Sequence, residues 1–85
     1  MHLEILTPAK TVFSGNIRSV TVPGTKGPFT ILKNHAPIIS SLEAGEVTLV
    51  TDQGTDLVYT IGEGMIEANQ NSIMLLAEKI GISEL

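Results

Sequence analysis

The chain has 85 residues, of which 42% are hydrophobic and only 4% aromatic, with five Lys or Arg against nine Asp or Glu and no cysteine. This length predicts a single domain, residues 1–85, with a core of Ile, Leu and Val, and the net charge of −4 excludes a nucleic-acid-binding face. The lack of cysteine excludes thiolate catalysis, Fe–S clusters and zinc ribbons. No apolar run approaches the ~20 residues of a membrane span, so we expect a soluble domain with no direct membrane insertion.

Apolar and polar residues alternate along most of the chain, and turn-forming residues interrupt this alternation about every eight to twelve positions. A period of two places successive side chains on opposite faces of a β-strand. In the first half of the chain the pattern predicts the strands HLEIL, TVF, IRSVTV, FTIL and IISSL. Turns are predicted at Pro8, at SGN, in PGTKGP and at KNHAP.

The second half predicts the strands EVTLVT, LVYTI, MIEA and IMLLAEKI, separated by the turns DQGTD, GEG and NQNS. The last strand contains good helix formers, so a helical tail is an alternative there. The whole pattern predicts an all-β fold, a flattened β-sandwich or barrel of about ten short strands. Its predicted core includes Leu3, Ile5, Val20, Val22, Ile31, Val47, Leu49, Ile61 and Leu75.

His35 lies at a predicted turn, in the stretch GPFTILKNHAPII. A nucleophilic triad would need a serine and a carboxylate beside it, and no Gly-x-Ser-x-Gly motif is present. A metal site has less support still, because His2 is the only other histidine and no carboxylate lies at a recognisable ligand spacing. We therefore predict no catalytic, cofactor-binding or metal-binding residue. His35 is either a turn residue bonded to local backbone or a contact for a partner protein.

The segment GEGMIE, Gly62 to Glu67, partly matches a dinucleotide-binding fingerprint. Glu67 stands at the third glycine position, and the surrounding pattern lacks the strand–helix junction on which a pyrophosphate would rest. The better interpretation is a bulge or a close approach of two strands at these glycines.

Lys26, on a predicted tight turn, suggests an alternative function as a lipoyl or biotinyl carrier domain. Those carriers display a modified lysine on a turn of a small acidic all-β domain. They flank it with acidic or methionine residues, however, whereas the neighbours here are Thr25 and Gly27. An ordinary exposed turn lysine is the better interpretation.

The stretch GPFTILKNHAPIISSLEAGEVTL resembles the signature of the epsilon subunit of F-type ATP synthases, which reads Gly-x-x-Gly-Ile-Leu-Pro-x-His-Ala-Pro before a hydrophobic pair. LEILTPAKTVFSG resembles that family's opening, VTVPGTKG the strand and loop before the signature, and GEGMIEANQNSIMLLAE its closing segment. Two positions depart from the signature: Thr30 stands at the glycine before isoleucine, and Lys33 at the proline. A β-branched threonine suits a strand at that point but not a positive φ.

The resemblance covers the family's N-terminal β-sandwich and implies a non-catalytic rotor subunit, which couples proton- or sodium-driven ring rotation to ATP synthesis. It implies contacts with the gamma subunit and with the ring of c subunits, and no cofactor. By matching positions, the gamma contacts are expected at Thr7, His35, Ala36 and Ser40, and the c-ring contacts at Lys26, Gly27 and Pro28.

The family continues beyond the sandwich into a helical hairpin, whereas this sequence ends at Leu85. We therefore expect binding to gamma without ATP binding and without inhibition of hydrolysis by inserted helices. The start at Met1, with no transit peptide, favours a peripheral position at the cytoplasmic face of a bacterial inner membrane.

Overall fold

The computed structural model describes residues 1–82, and these residues form nine β-strands and no helix. The all-β prediction is therefore confirmed, with nine strands where about ten were expected. The strands are β1 (His2–Leu6), β2 (Thr11–Val22), β3 (Phe29–Leu32), β4 (Ile38–Leu42), β5 (Gly45–Thr51), β6 (Asp56–Ile61), β7 (Gly64–Asn69), β8 (Ser72–Ala77) and β9 (Ile80–Ile82).

The strands are arranged in two layers, as in a β-sandwich. Sheet A has the order β4-β7-β8-β1 and ends on the first half of β2. In sheet B the second half of β2 lies between β3 and β5, and β6 and β9 follow. Neighbouring strands run antiparallel except β1 and β8, which are parallel. Side chains alternate between the core and solvent, as they do along β8.

Strand β2 belongs to both sheets, because its 12 residues pass without interruption from one layer to the other. Its first half pairs with β1 between Thr11 and Asn16. Its second half pairs with β5 from Ile17 onward, and this ladder shifts register between Ile17 and Ser19. Such a shift marks a bulge, which bends a strand and increases its twist. The bulge therefore lies where β2 changes layer.

The prediction of two separate strands, TVF and IRSVTV, is wrong. The SGN segment predicted as a turn is part of the ladder, since Gly15 pairs with Leu3. A β-carbon on Gly15 would lie 3.3 Å from the ring of Phe13. This glycine therefore leaves room for a neighbouring ring and does not reverse the chain.

The C-terminal segment IMLLAEKI, predicted as one strand with a helical alternative, is also different in the structure. β8 ends at Ala77 in sheet A, and β9 begins at Ile80 in sheet B. The N–H of Gly62 donates to the carbonyl of Lys79 at 3.0 Å and holds the connection between them. No helix forms up to Ile82, and residues 83–85 lie outside the part of the chain that the structure describes.

Backbone hydrogen bonds also join the two layers on the side opposite the bend of β2. Gly24, just beyond β2, forms a bridge with Leu42 at the end of β4. The N–H of Glu43 donates to the carbonyl of Pro23 at 2.9 Å, and that of Thr25 donates to a carbonyl of β4 at 3.1 Å. The sandwich is therefore joined through backbone on two sides.

The core between the layers is built from aliphatic side chains. All of the predicted core residues are at most 2% exposed, and no polar or charged residue is buried among residues 1–82. Two aromatic rings meet across the layers: Phe13 of β2 contacts Tyr59 of β6 in an edge-to-face arrangement, with ring centroids 6.4 Å apart. The prediction of an Ile, Leu and Val core is confirmed.

Gly64 lies where β7 passes very close to β8. A β-carbon built at this position would collide with the carbonyl oxygen of Leu76 and lie 3.0 Å from the Cβ of Ala77. The predicted close approach of two strands at the GEG segment is therefore confirmed at this glycine.

The Gly64→Ala substitution should lower the free energy of unfolding by about 2–3 kcal/mol, because backbone must move to admit the new methyl group. The matched control is Gly81→Ala, since a β-carbon on Gly81 meets nothing within 4 Å. We expect the control to change stability by less than about 0.5 kcal/mol. Urea unfolding followed by circular dichroism measures both. Equal stability of the two variants would contradict this account of Gly64.

Burial raises the pKa of Tyr59 above its ordinary value. In the unfolded chain this phenol ionises at pH ~10, whereas in the folded chain it keeps its proton to higher pH. Unfolding in alkali therefore releases a proton, so stability should fall as pH rises from about 10 through the folded pKa. Tyr59→Phe should remove that part of the decline. Urea unfolding of both proteins between pH 8 and 11 isolates the phenol, since the lysines titrate in both; parallel curves would contradict the prediction.

Candidate docking surfaces

Registers across sheet A show how the predicted contact residues are arranged. Leu6 of β1 lies in one row with Ser41 of β4, across β8 and β7. Leu3 of β1 lies in another row with Ile38 of β4. We call the end of sheet A that carries Leu6 and Ser41 the upper end, and the end that carries Leu3 and Ile38 the lower end.

His35 and Ala36 lie in the loop between β3 and β4, beside the lower end. Asn34 turns the chain before them with a φ of 66°, a conformation that asparagine tolerates better than most residues. The imidazole of His35 folds back so that its Nδ1 lies 2.9 Å from the carbonyl oxygen of Ala36. Because a carbonyl only accepts, Nδ1 is the donor, and in the neutral imidazole this leaves Nε2 as an acceptor.

The Nε2 atom of His35 is buried and has no hydrogen-bond partner, the one such side-chain atom within residues 1–82. A buried acceptor without a donor costs about 1–3 kcal/mol. Such groups are uncommon in native proteins, and each calls for a specific explanation. The structure thus gives His35 the local backbone bond expected of a turn residue, together with an unpaired atom that a turn residue does not need.

Ser40 lies on β4, opposite Ile66, on the half-buried side of this edge strand. Its hydroxyl donates to the carbonyl of Ser41 at 3.0 Å. The structure therefore brings His35, Ala36 and Ser40 together along one continuous segment, the edge strand and the loop that precedes it.

Thr7 lies apart from this segment, after β1 at the upper end. Its Oγ1 accepts hydrogen bonds from the N–H groups of Ala9 and Lys10, at 3.2 and 3.1 Å. These are the bonds of a local hydroxyl-stabilised turn. Three strand spacings, or about 14 Å, separate β1 from β4. A single partner that contacts both Thr7 and His35 would therefore have to extend diagonally across sheet A.

The loop between β2 and β3 exposes Lys26, Gly27 and Pro28 to solvent. Gly27 takes a φ of 122°, and its N–H donates to the carbonyl of Gly24 at 2.9 Å. A β-carbon on Gly24 would lie 2.7 Å from the carbonyl oxygen of Gly27, so the tight loop requires glycine there.

This loop is held against the upper end of sheet A. The N–H of Thr25 donates to the carbonyl of Ser41 at 3.1 Å. The predicted c-ring contacts therefore lie at the opposite end of β4 from His35 and Ala36.

The two departures from the family signature fit ordinary strand and turn geometry. Thr30 lies within β3 opposite Thr21, and the two hydroxyl oxygens are 2.8 Å apart. Lys33 follows the strand, and the positive φ falls on Asn34. Threonine is therefore accommodated without a positive φ, and it adds a cross-strand hydrogen bond.

Sequence reasoning missed an apolar surface on the solvent side of sheet A, which we call the outer A face. Its exposed large side chains are Ile39, Met65, Met74 and Leu76, which are 73%, 45%, 47% and 41% exposed. The available signal was the sequence SIMLLA of β8, which is apolar almost throughout although only alternate residues are buried. An unbroken apolar strand at such a position indicates that both faces of the sheet are apolar.

Residues 1–82 hold no group of three metal-ligating side chains, and they form no helix long and apolar enough to cross a membrane. An apolar concavity at the upper end is shallow and open, with Met65 and Leu76 flanked by Glu63 and Glu78. Sites for small molecules usually enclose most of the ligand, which a shallow surface does not.

His35→Phe tests the cost of the unpaired Nε2. The substitution removes the orphan acceptor, and the carbonyl of the exposed Ala36 regains water, so the free energy of unfolding should stay constant or rise by about 1 kcal/mol. His2→Phe is the control for the change of side chain, since the Nε2 of His2 has a partner 3.3 Å away in Ser14. Urea unfolding at pH 7.5 compares the variants. A clear loss of stability in His35→Phe alone would show that the hydrogen bond of Nδ1 stabilises the fold by more than the unpaired Nε2 destabilises it.

Comparisons with known proteins agree with the resemblance that the sequence shows. The family described as "ATP synthase, Delta/Epsilon chain, beta-sandwich domain" matches residues 1–81. The ATP synthase epsilon chain of Chlorobaculum tepidum is 40% identical over 78 residues, which cover 92% of this chain and 89% of the relative.

Solved structures share the fold at much lower sequence identity. A chain in a structure titled as the OSCP/F1/c-ring of the Euglena gracilis mitochondrial ATP synthase has a TM-score of 0.86 at 14% identity, over 94% of this chain and 51% of that one. A chain from the central stalk/c-ring structure of the Tetrahymena thermophila mitochondrial ATP synthase has a TM-score of 0.76 at 15% identity, over 96% of this chain and 66% of that one. The present chain thus spans about half to two thirds of these neighbours. On the family match and the epsilon-chain relatives, it belongs to the delta/epsilon chain family of ATP synthases, through that family's β-sandwich domain.

Proposed function

We propose that this chain is a non-catalytic rotor subunit in the central stalk of an F-type ATP synthase. It contacts the gamma subunit and the ring of c subunits, and it couples rotation driven by protons or sodium ions to ATP synthesis. The observation that carries the proposal is the match of the family's sandwich domain to residues 1–81. The same match gives no support to the lipoyl or biotinyl carrier hypothesis for Lys26.

The geometry suits this role because the loop of Lys26 to Pro28 and the loop of His35 and Ala36 lie at opposite ends of β4. Four residue steps along β4 correspond to about 13 Å, so one edge strand holds two contacts at a fixed separation. Gamma contacts β4 and the loop that precedes it, through His35, Ala36 and Ser40. The c ring contacts the exposed loop of Lys26, Gly27 and Pro28 at the upper end.

The hydroxyl oxygen of Thr7 already accepts hydrogen bonds from local N–H groups. The contribution of Thr7 to gamma binding is therefore through the position of the turn after β1. The outer A face, described above, supplies apolar surface between Thr7 and the loop that contains His35.

A subunit that transmits torque must resist deformation. The sandwich meets this requirement because its buried side chains are aliphatic apart from Tyr59 and form one core between the layers, and packed protein interiors have low compressibility. Backbone bonds join the layers both at the bend of β2 and at the Gly24–Leu42 bridge. We propose that the subunit sits at the cytoplasmic face of a bacterial inner membrane, as a peripheral part of the complex.

Single cysteines test the orientation, and these 85 residues contain no other cysteine to interfere. His35→Cys should crosslink to gamma, and Pro28→Cys should crosslink to the c ring, when each variant is assembled into the complete synthase. Thr48→Cys, on the exposed side of β5 in sheet B, is the control that should crosslink to neither. The products are identified by mass after gel separation.

Exchanged products, with His35→Cys on the ring and Pro28→Cys on gamma, would reverse the proposed orientation. Assembly of both variants with no product at either position would contradict the proposed contacts.

A further inference from the structure

Two of the three methionines of the chain are neighbours on the outer A face. Met65 of β7 pairs with Leu76 of β8, so Met74, two residues before Leu76, is the diagonal neighbour of Met65. Diagonal neighbours on one face of an antiparallel pair are about 7–8 Å apart, which long side chains can span. The two methionine side chains are 45% and 47% exposed, so solvent reaches both of them in the free chain.

The only sulfur atoms of the chain are those of its methionines, because it has no cysteine. Met1 is partly buried against the core, whereas Met65 and Met74 are exposed. Oxidation of an exposed thioether to a sulfoxide changes a flexible apolar side chain into a polar one, and reductases reverse the change. Leu76 and Ile39, which share the outer A face, cannot be changed in this way. Met65 and Met74 are therefore the positions at which sulfur oxidation alters the polarity of this face.

Carboxylates stand beside both thioethers. Met74 pairs across the sheet with Glu67 of β7 and with Glu4 of β1. Met65 lies with Glu63 in the shallow concavity at the upper end. A surface with negative charge repels anionic oxidants, but it does not repel an uncharged one. Hydrogen peroxide is uncharged, so it belongs to the class of oxidant that this surface admits.

We propose that Met65 and Met74 of the unassembled chain are sites of reversible oxidation by hydrogen peroxide, and that the oxidised chain binds the gamma subunit more weakly. The oxidation takes place before assembly, while the outer A face is open to solvent. This inference rests on the proposed function, and it adds a regulation of the apolar surface that the function uses.

The oxidation step is the same at each methionine. The thioether sulfur attacks one oxygen of hydrogen peroxide, so that an S–O bond forms and the O–O bond breaks. The sulfur loses two electrons, and the peroxide is reduced. The departing hydroxide takes the proton from the oxygen that is now bound to sulfur, and it leaves as water. The products are one sulfoxide and one water for each peroxide consumed.

Oxidation at these two positions leaves the core unchanged. The buried residues of β7 and β8 alternate with the methionines and include Ile66, Ile73 and Leu75, which are at most 1% exposed. A partner that covers the methionines, by contrast, also covers the new sulfoxide oxygens. An acceptor taken out of water without a donor is unfavourable, so each covered sulfoxide should weaken binding about tenfold. The effect of oxidation therefore falls on assembly and not on folding.

Peroxide treatment of the free chain tests the inference. Sulfoxides are located by mass after digestion, and we expect them at Met65 and Met74. Binding of the treated and untreated chains to a complex of gamma with the catalytic subunits, stripped of its own sandwich subunit, is then measured by calorimetry. We expect a loss of affinity of about tenfold or more on oxidation. Treatment with the two methionine sulfoxide reductases, one for each sulfoxide epimer, should restore the affinity.

The double substitution of Met65→Leu and Met74→Leu identifies the sulfur atoms responsible, since Met1 remains in this variant. Its affinity after peroxide treatment is compared with its own affinity before treatment, and the two should agree. A loss on treatment as large as that of the wild type would assign the effect to another residue and overturn the inference. Urea unfolding of the oxidised wild type should give the midpoint of the untreated chain. A lower midpoint would show that oxidation acts by destabilising the fold, which also overturns the inference.

The outcomes separate this inference from the proposed function. If the untreated chain does not bind the gamma-containing complex, both fail. If it binds, and the chain with sulfoxides at Met65 and Met74 binds equally well, the proposed function stands and the inference is overturned. If peroxide leaves both methionines of the free chain unmodified, the inference is overturned whatever the affinity.

Discussion

The passage of β2 through both sheets is the constraint on which the rest of the structure depends. Its first half gives β1 a partner in sheet A, and its second half gives β3 and β5 their partners in sheet B. The bulge near Ile17 sets the angle at which one layer turns into the other. Both the aliphatic core between the layers and the position of the loop after Val22 follow from this bend.

The proposed contact regions lie where the ladders end. The loop of Lys26 to Pro28 is held to the end of β4 by backbone bonds, and the His35 loop precedes the start of the same strand. Rigid strands with short loops at their ends are a common way to hold binding residues in fixed positions. The buried, unpaired Nε2 of His35 is the one place within residues 1–82 where this scaffold retains an unsatisfied side-chain atom, and it lies in such a loop.

The two outer faces of the sandwich differ in character. Sheet A exposes four large apolar side chains, two methionines, a leucine and an isoleucine, whereas sheet B exposes Leu32 and Ile82 and the paired hydroxyls of Thr21 and Thr30. Methionine is flexible and polarizable, so it adapts to a partner surface more readily than a branched side chain does.

The sequence by itself determined the strand class, the core and most of the turns, because a period of two and the turn residues are local properties of the chain. It also indicated the family, through the spacing around His35, and so the candidate residues in the two loops. Only the tertiary structure decided that SGN continues a strand and that IMLLAEKI divides between two sheets, since pairing partners distant in sequence override a local turn or strand preference. It alone decided that Met74 and Leu76 share one exposed apolar surface with Met65 and Ile39, because the pairing of β8 with β7 and of β7 with β4 brings together residues that are distant in sequence.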